Sequence, residues 1–230
     1  MKTLSEQGQR IPHLLVLASC LGGALLLGGC ASSSGSSSEA KQAQPAGNSP
    51  ALPPGVTLHQ DKDINGVWLA EGFDFRGYDL LYIAETRFSA AERANEAQMR
   101  EMAIRVLRET LTEYLSQTKV FGAVTTRAED IKPDTKTLRL ENTIIEYQKG
   151  GGGARYWAGM FGGGQPVIKV RGLLTAGDKL MCVYEMRRSG ESAGARMNGV
   201  FQSDEEIQRN DIRDLASDFS DFVKRTAKAQ

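Results

Sequence analysis

Apolar and polar positions recur with two different periods along this chain, and the switches between them predict the elements. Residues 79–84, Asp79-Leu80-Leu81-Tyr82-Ile83-Ala84, form a nearly continuous apolar run, the pattern of a strand buried on both faces. From Ser89 the period lengthens. Ser89 and Glu92 have the spacing of a capping box, which opens a helix. Met99, Ala103, Val106, Leu107, Thr110, Leu111, Tyr114 and Leu115 then fall on one stripe, while Arg93, Glu96, Arg100, Arg105, Arg108, Glu109 and Glu113 mostly fill the other side. Residues 123–126, 137–147, 167–176 and 179–188 read as strands. Ala176-Gly177-Asp178 makes a tight turn that joins the last two into a hairpin.

Residues 189–202 read as a loop. Ser203 and Glu206 form a second capping box and open a helix to about Lys228. Ile207, Asp211, Ile212, Leu215, Phe219, Phe222 and Val223 mark its inner face, with Asp211 the one polar intruder. Lys224, Arg225 and Lys228 complement the negative end of the helix dipole. Upstream, residues 66–70 and 73–78 carry aromatics with weak periodicity and read as an extended lead-in packed on the domain edge. The order is close to β-α-β-β-β-β-α. The expected fold class is α/β: a mixed sheet of about five strands with two main helices packed on it, an α/β sandwich.

A different pattern occupies the N-terminal residues. A short basic start (Lys2, Arg10) precedes an uncharged stretch from Ile11 to Leu27, which ends in Leu27-Gly28-Gly29-Cys30. The stretch has the length of a secretory apolar region and is short for a membrane span of about 20 residues. Two small residues before a cysteine let the backbone fit a peptidase cleft, and the thiol is the group that receives lipid, so the pattern is that of a bacterial lipoprotein signal. Cys30 is then the first mature residue, acylated with diacylglycerol and palmitate. Residues 1–29 are the signal peptide, 30–56 the lipidated cysteine and its linker, and 57–230 a periplasmic domain. Residues 31–55, rich in Ser, Gly, Pro and Gln, hold no large apolar residue except Leu52 and cannot offset their ordering entropy, so they read as a disordered tether. Its r.m.s. reach is roughly 25–30 Å.

Composition then removes several classes of chemistry. Taking Lys2, Arg10 and Glu6 away with the signal leaves 26 basic and 27 acidic residues, without the clustered basic surplus that nucleic-acid binding needs. Of three cysteines, Cys20 leaves with the signal and Cys30 is acylated. Cys182, in an apolar strand-like run, reads as a buried small hydrophobe with no intramolecular disulfide partner. His13 is also in the signal, so any histidine-dependent catalytic site must use His59. Too few ligands remain for a His/Cys zinc site, and no metal or other cofactor is expected.

Residues 150–164, GGGGARYWAGMFGGG, are the local oddity. A phosphate-binding loop needs Lys-Ser/Thr after its last glycine and a helix directly behind it, whereas Gln165-Pro166-Val167 leads into a strand. A dinucleotide fingerprint fails for the same reason, so no nucleotide is expected. One reading makes the segment a long connection whose glycines supply special backbone angles. The other makes Arg155, Tyr156, Trp157, Met160 and Phe161 a contact site for a partner or ligand, because apolar side chains on a loop need cover from the domain, a partner or a bilayer. A carboxylate site at Asp74, Asp79 and Glu85 is the remaining enzymatic option. Solvation or pairing with Arg76 and Arg87 accounts for those residues more simply.

Taken together, the lipobox, Gly72-Phe73-Asp74-Phe75-Arg76-Gly77-Tyr78-Asp79 before the first strand, and the segment from Gly153 to Gly164 resemble the uncharacterised DUF4410/DUF3313-type lipoproteins of Gram-negative bacteria. The likeness covers roughly residues 66–228. It implies an α/β domain in the periplasm and brings no catalytic residues with it. Ala31 after the lipidated cysteine is similar to lipoproteins sorted to the outer membrane. The expected function is a membrane-anchored, non-catalytic interaction or structural module of the cell envelope, with another envelope protein as partner. A binder of a small ligand or cell-wall glycan through loop 150–164 is the alternative, and a carboxylate-based envelope enzyme comes third.

Overall fold

The computed structural model describes residues 51–89, 97–151, 166–190 and 203–229, all within the compact unit Pro45–Gln230. Strands β1 (Gly66–Leu69), β2 (Leu80–Ile83), β3 (Arg87–Phe88), β4 (Ala123–Thr125), β5 (Thr137–Gln148), β6 (Val167–Ala176) and β7 (Lys179–Arg188) form one mixed sheet. Its order is β1-β7-β6-β5-β2-β4, with β3 pairing on β5 beyond β2. Helices α1 (Ala97–Thr118) and α2 (Asp204–Ala229) pack on each other and on one face of the sheet. The α/β fold is thus as the sequence predicts, with two short strands added. β1 is part of the expected lead-in, which proves to be an antiparallel edge strand on β7. With only four residues, it is too short for its alternation to stand out.

β5 is the axis of the sheet, parallel to β2 and β3 on one side and antiparallel to β6 on the other. Leu138, Leu140, Asn142 and Ile144 are buried at alternate positions. Unbroken alternation would next turn Glu146 into the core. A β-bulge between Ile144 and Glu146 resets the phase, so Glu146 pairs with Arg187 at 3.3 Å and Tyr147 is the buried residue. The β6–β7 hairpin closes through Gly177 at φ +56, a conformation that glycine adopts without the Cβ clash.

Under the helices the core is aromatic. Phe75, in a short 3-10 turn before β2, meets Phe121 and Phe222 edge-on at 6.3 and 6.1 Å. The Tyr184 ring stacks on Phe219 at 4.1 Å. Tyr184 also crosses the neighbouring strand at Gly172, where a Cβ would lie 2.1 Å from its ring, and its hydroxyl donates to Asn142 Oδ1 at 2.6 Å. Cys182 is fully buried in the same strand, and burial pushes its thiol far above the ordinary range, so the expected inert hydrophobe is what the fold contains.

Candidate functional site

Cys30 and the loop residues Arg155, Tyr156, Trp157, Met160 and Phe161 lie outside the described residues. The strand ends that flank the loop do not. Gln208 of α2 takes the Tyr147 hydroxyl at 2.5 Å on its carbonyl oxygen and donates its amide to the Gln148 carbonyl at 3.0 Å. It thereby fixes the last two residues of β5. One turn along α2, Asp211 accepts the Gly190 N–H at 2.9 Å, just beyond β7. Both side chains are fully buried. The polar intruder in the helix stripe is therefore a positioning residue for the chain leaving β7. The helix itself starts as predicted: Ser203 and Glu206 exchange side-chain-to-backbone hydrogen bonds at 3.0 and 3.2 Å.

The three carboxylates of the enzymatic option have separate tasks. Asp74 caps the 3-10 turn through the Arg76 N–H at 2.9 Å and pairs with its guanidinium at 3.2 Å; these hydrogen bonds hold its carboxyl below the usual range. Asp79 accepts the Lys136 N–H at 3.3 Å. Glu85 lines a groove of about 650 Å³ with Arg105, Arg108 and Glu109 of α1 and Thr126. Arg87 pairs with Glu141 instead of Glu85. His59 is exposed, its backbone bridging Val67 at the sheet edge. Among the described residues no group of three His, Cys, Asp or Glu side chains is arranged to hold a metal, and no helix is long and apolar enough to cross a membrane.

The feature that sequence reasoning missed is Asp61-Lys62-Asp63-Ile64-Asn65-Gly66, whose alternate acidic and amide residues were a legible signal. These side chains clasp the start of the domain to its end. Arg225 of α2 donates to Asp61 Oδ1 at 2.7 Å and to Asp63 Oδ2 at 3.0 Å. Asn65 Oδ1 accepts the Arg187 N–H at 2.6 Å, and Ile64 is buried beneath. Burial pushes the Asp61 carboxyl up, but the Asp63 N–H and the Arg225 guanidinium together bring it below its usual value. The carboxylates are only 17% and 20% exposed, against 43% for Arg225.

The sheet face away from the helices carries a second ionic group. Glu185 bridges Lys169 at 2.6 Å and Arg171 at 2.5 Å. Half-burial raises its carboxyl and the two cations more than reverse that, leaving it below the ordinary range. Arg139 and Glu141, next along the same face, pair at 2.8 Å. All are ion pairs between protein groups.

No family model matches the chain, and no curated protein matches it. Solved structures to which it is distantly similar include the PelC dodecamer from Paraburkholderia phytofirmans, 12% identical with a TM-score of 0.40, covering 66% of this chain and 96% of that one. Another is a Xanthomonas campestris protein of the DUF330 family model, 10% identical with a TM-score of 0.37, covering 66% and 86%.

Proposed function

We propose that this chain is a lipid-anchored, non-catalytic interaction module of the bacterial envelope, sorted to the outer membrane with its domain in the periplasm. The observation that carries this reading is Leu27-Gly28-Gly29-Cys30 at the end of an uncharged run, followed by a Ser-rich tether. The resemblance to DUF4410/DUF3313-type lipoproteins points the same way. So does the clasp. A domain held by its N-terminus needs its first residues fastened, and Asp61, Asp63 and Asn65 tie them to α2 and β7. The commitment of Asp74 and Asp79 to structural hydrogen bonds argues against a carboxylate enzyme built on them. Arg155, Tyr156, Trp157, Met160 and Phe161 are the partner contact in this reading, on the connection that starts where Gln208 fixes the end of β5.

Two experiments test the proposal. Cells expressing the chain and fed labelled palmitate should label the parent and not Cys30→Ala, and the variant should leave the membrane fraction. Label retained by Cys30→Ala sinks the lipid anchor. A photo-crosslinker at Trp157 in intact cells should trap one discrete protein adduct. Glycan recovered with the purified domain, and no protein adduct, would move the function to glycan binding.

A further inference from the structure

The clasp places three lysines where the tether meets the fold. Lys62 lies between the two clasp carboxylates in sequence, and Lys224 and Lys228 stand one turn apart on α2 beside Arg225. With Asp63 and Asp221 they line an open groove of about 370 Å³. Lys62, Lys224 and Lys228 are exposed, and among the described residues none of the three has an ion-pair partner. The charges beneath are committed differently. Asp61 and Asp63 are mostly covered and bonded to Arg225, so Asp221 is the one exposed acid of this groove. The helix dipole accounts for cations near the end of α2. It does not account for Lys62, which comes from the other end of the domain.

We infer that Lys62, Lys224 and Lys228 form a docking surface for anionic phospholipid headgroups of the leaflet that holds the Cys30 acyl chains. This rests on the proposed lipid anchor. Two observations select the occupant. The surface carries an excess of exposed ammonium groups, which attract headgroup phosphates within a Debye length of about 8 Å at physiological ionic strength. Lys62 follows the tether within a few residues, and the clasp brings Lys224 and Lys228 beside it, so the lysines sit where the chain from the anchor joins the domain. A chain with an r.m.s. reach of roughly 25–30 Å keeps that surface near the bilayer, so weak individual contacts suffice. Docking there gives the domain one preferred orientation and leaves the opposite half of α2, with Gln208 and Asp211, facing away.

The test uses the full chain carrying Cys30→Ala, mixed with extruded vesicles of phosphatidylcholine alone or with about 30 mol% phosphatidylglycerol. Binding is read as the ratio between anionic and neutral vesicles, which cancels the apolar N-terminal run, and is compared with that of a lysine variant sharing the basic start Lys2 and Arg10. At about fivefold per lysine, the ratio is expected to fall on the order of a hundredfold at low salt in the Lys62→Gln/Lys224→Gln/Lys228→Gln variant, with an unchanged circular dichroism spectrum and melting temperature. A ratio near one for the Cys30→Ala chain overturns the inference, as does full retention in the triple variant. Salt-sensitive binding to polyglutamate without binding to anionic vesicles assigns the lysines to an acidic protein instead, and also overturns it. The anchor is judged separately by palmitate labelling: vesicle binding without label removes the anchor alone, and label without vesicle binding removes the docking surface alone.

Discussion

The two halves of α2 fasten the same domain by opposite means. Its first half uses Gln208 and Asp211, both fully buried, to hold Tyr147, Gln148 and Gly190. Its last half uses Arg225, 43% exposed, to hold Asp61 and Asp63. The difference lies in what happens when a contact is lost. A buried donor or acceptor left without a partner keeps its full desolvation cost, whereas the exposed Arg225 recovers water and its partly covered carboxylates regain some, with salt screening both. The first half therefore demands its particular residues, and the second tolerates exchange. The same helix supplies a rigid root for one set of connections and an adjustable grip on the first residues of the domain.

That contrast can be broken at four points. Gln208→Leu strips partners from both the Tyr147 hydroxyl and the Gln148 carbonyl, and should cost about 3 kcal/mol by denaturant unfolding with an unchanged m-value. A loss no larger than that at the clasp would erase the distinction. Asp211→Ala strands the Gly190 amide and should cost about 2 kcal/mol. Its signature is faster hydrogen exchange at Gly190 than at the centre of β7. Arg225→Gln should cost less than about 1 kcal/mol and shrink further in high salt. The smallest effect is the pH dependence of the clasp. Asp61 titrates below its unfolded value of 3.8, so its stabilisation is present above that pH and disappears as pH falls through the lower folded pKa. Acid unfolding curves of the parent and Arg225→Gln should therefore converge in that range, and curves that stay parallel would deny Asp61 its role.

Legibility in the sequence followed burial. β6 and β7 are placed to the residue because each is ten residues long and bounded by turns or polar loops. The α1 stripe is also right in outline: Ala103, Val106, Leu107, Thr110, Leu111 and Leu115 are buried, Met102 joins them, and Met99 and Tyr114 stay half-exposed toward its margins. β3 escaped because two residues carry no period. Arg87 and Phe88 belong to a strand only because β5 is beside them, and one extra residue between β2 and β3 interrupts the run. Asp211 was visible as an anomaly in a stripe, but its partner Gly190 is 21 residues away and no local rule finds it. The clasp shows the same limit. Its acidic half has a readable spacing, yet its cation lies 162 residues on, where the helix dipole already explained a basic residue.

The crossing of Tyr184 over Gly172 bears on how the long hairpin finds its alignment. Side-chain alternation rejects a slip of one residue, since every apolar group would then face the wrong way. It cannot reject a slip of two, which keeps all faces correct. β6 contains a single glycine, and a two-residue slip would set the Tyr184 ring against Val170 or Leu174 and take its hydroxyl from Asn142. One missing side chain thus acts as a notch that admits the tyrosine at one alignment only, and the three central strands are indexed by it.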